Sequence, residues 1–275
     1  MKPPISYYGG KQRMAGKIIA MIPDHKIYTE SFLGGGAVFW NKEPSDHEVI
    51  NDVDDNIINF YRVLQENFDD LFGEISSTLH SRTQHLDAKY ILKSEPEKLS
   101  SSYTYRITES GMKPDFSVRR AWAFWVQSNM SYSSKLYGGF AYDRSEDAKT
   151  TRAIINKREA FQLHYKERLS RVCIECNDAI KVIESRDTPY TFHYCDPPYF
   201  NSDCGHYAGY TEDDYEKLLI TLSKIKGKFL LSSYPSEILD SYVNEYGWEQ
   251  KSWNTSVSVS YKTSKMKTEV LTYNY

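Results

Sequence analysis

The sequence predicts an α/β fold: a doubly wound, mostly parallel sheet that ends in a C-terminal antiparallel hairpin and carries a mainly helical insertion. Three observations lead there. A strand, a glycine-rich turn, a helix and a second strand follow one another within about 30 residues near the N-terminus, the span of a parallel crossover unit. That alternation lapses after residue 65, and it resumes at residue 156 and continues to the end. Residues 1–65 and 156–275 are therefore expected to form one domain, and residues 66–155 an inserted one, helical with a hairpin.

Taken in order, Lys26-Ile27-Tyr28-Thr29 suits a short strand, and Ala37-Val38-Phe39-Trp40 opens a helix after the glycines. Glu48-Val49-Ile50 makes the second strand and ends in Asn51-Asp52. Asp54 or Asp55 then starts a helix whose apolar residues Ile57, Ile58, Tyr61 and Leu64 recur at helical intervals. Within the insertion Val118 to Asn129 reads as a helix, and Gly138-Gly139, between Tyr137 and Phe140, as the turn of a hairpin from Ser131 to Tyr142. A helix from Lys157 to Leu169, strand Val172 to Cys176, helix Ala179 to Ser185 and strand Tyr190 to Cys195 come next. Thr211 caps a helix with acids in its first turn, expected to end at Gly227, before the buried strand Phe229 to Ser233. Thr255 to Tyr261 and Thr268 to Tyr273, joined by a Lys- and Ser-rich connection, suit the closing hairpin.

A chain of 275 residues with 40% hydrophobic content can bury a sizeable core, which excludes disordered and fibrous classes. It has no apolar run of about eighteen residues and no apolar stretch behind Met1-Lys2-Pro3-Pro4-Ile5, so a cytoplasmic location is expected. Cys173, Cys176, Cys195 and Cys204 do not make a disulfide framework. The first two have zinc-knuckle spacing, but they fall in an alternating strand with no second pair after them, so no metal is expected. The net charge of -3 conceals local asymmetry. Tyr105 to Arg171 carries thirteen basic and seven acidic side chains, and residues 251–268 carry Lys251, Lys262, Lys265 and Lys267 without an acid. Two positive zones on an acidic body suit a polyanionic partner.

Asp196-Pro197-Pro198-Tyr199 follows strand Tyr190 to Cys195, at the carboxyl end where ligands bind in parallel sheets. Two prolines stiffen the backbone and remove two donors, leaving carbonyl oxygens and the Asp196 carboxylate as acceptors. An acceptor-only turn suits an amine, and the Tyr199 ring offers a face for stacking. Glu30-Ser31-Phe32-Leu33-Gly34-Gly35-Gly36 lets the backbone approach a ligand, but its spacing is neither that of dinucleotide loops nor that of phosphate loops. Asp52, at the end of the second strand, suits ribose hydroxyls. Tyr7-Tyr8-Gly9-Gly10-Lys11 adds an aromatic and glycine cluster with one cation. Cys195 reads as a strand residue and not as a nucleophile.

In this order the motifs resemble the Dam-like DNA adenine methyltransferases of the alpha motif order. These open with an aromatic-x-Gly-Gly-Lys segment, continue with a Glu-Pro-Phe-x-Gly-x-Gly loop, a strand-ending acid and a target-recognition insertion, and carry Asp-Pro-Pro-Tyr late. Tyr207-Ala208-Gly209-Tyr210-Thr211 with Asp214 and Leu218, and Glu269-Val270-Leu271, extend the likeness over nearly all of the chain outside residues 66–155. Ser31 stands where the family usually has proline, and Tyr7 where tryptophan or another aromatic is common.

The resemblance implies a Rossmann-like methyltransferase sheet and a reaction in which S-adenosylmethionine methylates the 6-amino group of an adenine flipped out of DNA. Asp196, Pro197, Pro198 and Tyr199 would be catalytic. Tyr7, Gly10, Lys11, Phe32, Leu33, Gly34, Gly35, Gly36, Asp52, Asp178 and Asp196 would contact the cofactor. Double-stranded DNA would be bound through Arg119, Arg120, Lys135, Arg144, Arg152, Lys157, Arg158 and Lys265, with the Ser131 to Tyr142 hairpin as the base reader or an intercalating element. A monomer is expected, bacterial or phage-encoded, and a cognate restriction endonuclease is compatible with it. The acceptor geometry also serves the cytosine amine or adenine in RNA, and a non-catalytic DNA-binding subunit of the same fold stays open.

Overall fold

The computed structural model describes residues 1–94, 105–108, 111–114, 117–144, 146–201, 209–257 and 265–275, with backbone alone for 105–108, 111–114, 254–257 and 265–267. Its elements begin with α1 (Ala15–Ile19), β1 (Ile27–Glu30), α2 (Ala37–Asn41), β2 (His47–Asn51), α3 (Asp55–Glu66), α4 (Phe68–Ser76) and α5 (Arg82–Ser94). β3 (Tyr105–Thr108), β4 (Gly111–Pro114), α6 (Val118–Met130), α7 (Lys149–Ala160), α8 (His164–Leu169) and β5 (Val172–Glu175) follow. The chain ends with α9 (Ala179–Arg186), β6 (Thr191–Cys195), α10 (Glu212–Leu222), β7 (Lys228–Ser233), α11 (Glu237–Tyr246), β8 (Glu249–Val257) and β9 (Lys265–Tyr273). Two compact units divide these elements. One comprises Met1–Ile19, Gly34–Lys42 and Asp52–Cys176; the other comprises Ala20–Leu33, Glu43–Asn51 and Asn177–Tyr275. Residues 66–155 fall wholly within the first. Among the described residues no helix is long and apolar enough to cross a membrane.

In the second unit the strands run in the order β2-β1-β6-β7-β9-β8. β1 is parallel to β2 and β6, and β6 is parallel to β7. β9 then pairs antiparallel with both β7 and β8, as the expected closing hairpin requires. Every residue of β6 is buried, which is how a central strand of a covered parallel sheet reads. α10 and α11 lay Tyr215, Leu218, Leu219, Leu222 and Leu239 onto Phe229 and Leu231 of β7. At about 1.5–3 kcal/mol per large side chain, this burial is what fixes the strand tips in space.

The first unit is built around α3 and α6. Ile57, Ile58, Phe60, Tyr61, Val63 and Leu64 make a buried stripe on α3, and α6 is buried from Arg120 to Ser128. Asn59 of α3 bonds the Ser117 backbone in both directions at 3.0 Å, which registers the start of α6 against α3.

Four expectations need correction. The helix expected from Lys157 to Leu169 is two helices, α7 and α8, because Phe161 leaves helical backbone to bury its ring against Phe68 at 5.8 Å. The Thr211 helix stops at Leu222. Gly227 instead serves a close approach: a Cβ there would lie 2.6 Å from the Thr191 carbonyl oxygen, and its N–H donates to Asp187 at 2.9 Å. Ser131 to Tyr142 is not a strand pair. It closes on one bridge, Ser131 to Phe140, and the two-stranded pair within residues 66–155 is β3–β4. β8 begins at Glu249 and not at Thr255, and α11, capped by Ser236 and followed by Gly247, precedes it unforeseen. Residues 258–261 of that strand expectation, Cys204, Tyr207, Ala208 and Lys262 lie outside the described residues.

Candidate active site

The glycine-rich loop and the N-terminal motif meet within the first unit. Tyr7 covers the loop so closely that a Cβ on Gly34 would lie 3.0 Å from its ring, and one on Gly35 would lie 2.9 Å from its Cβ. Gly34 also has a φ of +49°, a conformation L side chains resist. Its N–H donates to Asp52 Oδ2 at 2.7 Å, while Asp54 N–H donates to Oδ1 at 2.9 Å. Burial pushes the Asp52 carboxyl up to about 7, against the pull of those N–H groups. Each oxygen retains a further lone pair, which suits ribose hydroxyls. Tyr61 steadies the loop from below by donating to the Gly35 carbonyl at 3.1 Å. The Gly10 N–H closes the Tyr7 turn at 3.1 Å, and Lys11 is buried behind it.

The other loop residues belong to the second unit. Buried Asn51, which sequence reasoning passed over, donates through Nδ2 to the carbonyls of Ser31 at 2.9 Å and Asn177 at 3.0 Å. Its Oδ1 accepts from Asn177 N–H at 2.9 Å, and its carbonyl accepts from Leu33 N–H at 2.9 Å. One amide thus locks the Phe32-Leu33 segment to the turn before Asp178. Asp178 itself caps α9 through the N–H groups of Ile180 and Lys181. Phe32 meets the Tyr210 ring edge-on at 6.4 Å. The Ser31 hydroxyl, where the resembling family has proline, is buried with no hydrogen-bond partner among the described residues.

At the tip of β6 in the same unit Asp196 is half-buried, Pro197 is buried, and Pro198 and Tyr199 are partly exposed. The Tyr199 hydroxyl lies 2.9 Å from Glu269 Oε1 and 3.3 Å from Asp196 Oδ1. Burial, then the charges of Asp196 and Glu269, hold this phenol well above its usual range, so it stays protonated. Tyr234, at the end of β7, meets the Tyr199 ring at 4.4 Å with a 61° tilt. Cys195 is fully buried and its thiol is driven far up by that burial, which leaves it without nucleophilic character.

The candidate DNA residues separate by burial. Arg120 is only 5% exposed and donates to Asp55 at 2.7 Å and Asn56 at 2.9 Å, so its expected phosphate contact is withdrawn. Lys157 is likewise committed: its ammonium donates to Ser6 Oγ and Asn129 Oδ1, and burial lowers it to about 8. Arg158 donates to the Thr78 carbonyl at 3.0 Å. Arg119 is exposed over Trp122 and paired with Glu74, Arg144 lies over Tyr142, and Lys135 lies over Tyr8. Arg152 is exposed on α7, and the Lys265 side chain lies outside the described residues.

The 131–142 segment presents Tyr132 at 71% exposure, with Tyr137 and Tyr142 also exposed. Ser133, Ser134 and Tyr137 all have positive φ. The segment rests on α5, whose cations were not anticipated. Arg82 stacks over Phe140 at 5.0 Å, Lys93 over Tyr137 at 6.0 Å, and Lys89 Nζ donates to the Tyr137 carbonyl at 2.6 Å. Their helical spacing, 82, 89 and 93, was the available signal.

A family model described as D12 class N6 adenine-specific DNA methyltransferase matches residues 7–257. The chain is 25% identical over 222 residues to the type II methyltransferase M1.LlaDCHI of Lactococcus lactis subsp. cremoris, covering 78% of this chain and 72% of that protein. To the type II methyltransferase M.MjaIII of Methanocaldococcus jannaschii it is 24% identical over 258 residues, covering 85% and 84%. Over 57 residues it is 42% identical to the DNA N-6-adenine-methyltransferase of Escherichia phage P1, a match that takes in 21% of this chain and 7% of the phage protein.

Proposed function

This chain belongs to the D12 class N6 adenine-specific DNA methyltransferase family, and on that premise we propose that it transfers a methyl group from S-adenosylmethionine to the exocyclic 6-amino group of adenine at a specific site in DNA. The observation that carries the reading is the Asp196-Pro197-Pro198-Tyr199 turn at the carboxyl end of β6, with its phenol bonded to Glu269. The adenine amine is a poor nucleophile, because its lone pair is delocalised into the ring. Asp196 accepts one amine proton and the Pro197 carbonyl the other, which favours pyramidal nitrogen and turns the lone pair outward. Tyr199 supplies the ring against which the base stacks.

When bound, S-adenosylmethionine supplies an electrophilic methyl group on a sulfonium. In the first unit Tyr7, Gly10, Lys11, Gly34, Gly35, Gly36 and Asp52 would hold it; in the second Phe32, Leu33, Asp178 and Asp196 would. The residues present fit it. The glycine loop keeps its backbone bare where a Cβ would strike Tyr7, and Asp52 offers acceptors for ribose hydroxyls. The buried Ser31 hydroxyl is a donor without an acceptor among the described residues.

A base amine inside a duplex is out of reach of a strand tip, so the target adenine is flipped out before transfer. Arg119, Lys135, Arg144 and Arg152, joined by Arg82 and Lys93 of α5, contact phosphates, and the 131–142 segment with exposed Tyr132 enters the DNA. The type II names of the two long relatives support a cognate restriction endonuclease as partner. Nucleoside mass spectrometry and modification-aware sequencing of plasmid DNA exposed to the protein test all of this together. N6-methyladenine at one repeated sequence is expected, and methylcytosine, or no modified base, would defeat the reading.

A further inference from the structure

Strand β1 stops pairing with β2 at Glu30, opposite Ile50, and Asn51 stands one residue beyond that pair. It is fully buried, and its side chain joins two turns of the second unit. One turn is Ser31 to Leu33, bonded through the Ser31 carbonyl to Nδ2 at 2.9 Å and through the Leu33 N–H to the Asn51 carbonyl at 2.9 Å. The other is Asn177-Asp178, bonded through the Asn177 carbonyl to Nδ2 at 3.0 Å and through the Asn177 N–H to Oδ1 at 2.9 Å. We propose that Asn51 is a positioning residue for the adenine of the cofactor: by bracing these turns at a fixed separation, it holds Phe32 for the purine ring and Asp178 for the purine amine. This inference rests on the reading of Phe32 and Asp178 as cofactor contacts.

The amide is suited to the task because it is two-sided. Each N–H of Nδ2 serves a carbonyl of a different turn, so neither turn can shift without breaking a bond inside a buried site, and a buried carbonyl left without a donor is costly. What happens at Asn177 reaches Asp178 directly. Asp178 N–H donates to Asn177 Oδ1 at 2.9 Å, and Asp178 Oδ1 accepts from the N–H groups of Ile180 at 3.0 Å and Lys181 at 3.2 Å. Capping α9 in this way orients the carboxylate, and among the described residues it leaves exposed Oδ2 for a ligand. A carboxylate only accepts, so it welcomes an amine and rejects a carbonyl oxygen. Phe32 and Asp178 also border a common neighbour. Phe32 meets the Tyr210 ring edge-on at 6.4 Å, and the Asp178 charge is near enough to add to the rise that burial imposes on the Tyr210 phenol. A ligand that touches both turns feels their separation, and slack of even a fraction of an ångström loosens its grip.

Calorimetric binding of S-adenosylhomocysteine and of its inosine analogue, in which an oxo group replaces the purine amine, tests this. The parent protein is expected to bind the adenosine form at least about tenfold more tightly, the worth of one hydrogen bond to a charged acceptor. Asn51→Ala should weaken S-adenosylhomocysteine about tenfold and narrow that preference to less than about threefold. Loss of stability alone would leave the preference of the folded fraction intact. In steady state the loss should fall on the KM for S-adenosylmethionine, with kcat within about threefold of the parent value. A folded Asn51→Ala that keeps the parent preference overturns the proposal. If that variant does not fold, Asn51→Asp takes its place, since it has the same size and keeps the acceptor for the Asn177 N–H while its ionised form has no donor for the two carbonyls; an undiminished preference there overturns the proposal equally. Asp178→Asn separates the two claims. It turns Oδ2 into a donor while Oδ1 still caps α9, so the preference should reverse toward the inosine analogue. A parent that binds both ligands alike, or an Asp178→Asn that keeps the parent preference, sinks the reading of Asp178. A reversal in Asp178→Asn beside an unchanged preference in Asn51→Ala sinks only the role of Asn51.

Discussion

The tip of β6 and the Ser131 to Tyr142 segment are both turns, and they are held by opposite means. At β6 the position of Asp196 is inherited from the sheet: two prolines stiffen the turn, and Tyr199 is tied to Glu269 on β9, two strands away in the sheet order. The 131–142 segment has one bridge and three non-glycine residues at positive φ. Side chains of α5 hold it, with Lys89 on a carbonyl, Arg82 on a ring, and His85 hydrogen-bonded to Ser131 at 2.9 Å. Backbone register makes the first turn hard to alter without loss of geometry. Side-chain support lets the second change its reading residues while its base stays put, which suits a recognition element.

The contrast breaks most visibly at Asp196. Asp196→Ala should lower methyl transfer by at least about a thousandfold, the scale of a lost transition-state contact, while DNA binding measured by gel shift stays within a few fold. Unchanged turnover would remove the chemistry from the β6 tip. Next in size is Arg120→Ala. It leaves the half-buried Asp55 carboxylate without its guanidinium and should cost about 1–3 kcal/mol in denaturant unfolding, with no change in the salt dependence of DNA binding. A shallower salt slope in a stably folded variant would restore it as a phosphate contact. Tyr132→Ala should weaken DNA binding by about 1–3 kcal/mol, the worth of one stacked base, and leave transfer at saturating DNA within about twofold. Equal losses in both would mean that the 131–142 segment shapes the reacting site as well as the grip on DNA.

Why the β6 tip was legible and the 131–142 segment was not follows from the same contrast. Alternating apolar strands and their capping residues are local signals, so β1, β2, β6, β7 and the Asp196 turn could be read directly. Gly138-Gly139 carries the composition of a hairpin turn, but Tyr137 takes a left-handed φ of +61° and the chain closes on one bridge, an outcome set by α5. Arg120 looked like one more cation in a basic stretch. Its partner Asp55 is 65 residues away in sequence, and no local pattern announces that burial. Asn51 at the end of β2 and Glu269 in the middle of β9 were hidden for a related reason: a polar residue in a strand gains its role only from what the neighbouring strand or loop brings beside it.

The smallest predicted effect concerns a second carboxylate held in a different way from Asp196. Asp52 sits beneath the glycine loop with two backbone N–H donors, and burial still raises it to about 7. Ribose hydroxyls donate to the ionised form, so cofactor binding should strengthen as the pH rises through that value. Between about pH 8 and about pH 6 the ionised fraction falls roughly tenfold, and the dissociation constant measured by calorimetry should rise by the same factor. Stability runs the other way. The folded carboxyl titrates above the unfolded one, so the contribution of Asp52 is greatest below about pH 4 and is lost as the pH climbs toward 7. Asp52→Asn should flatten both dependences. If cofactor binding in the parent protein is flat over that range, the ribose is held by something other than this carboxylate, and the glycine loop becomes a packing surface for Tyr7 alone.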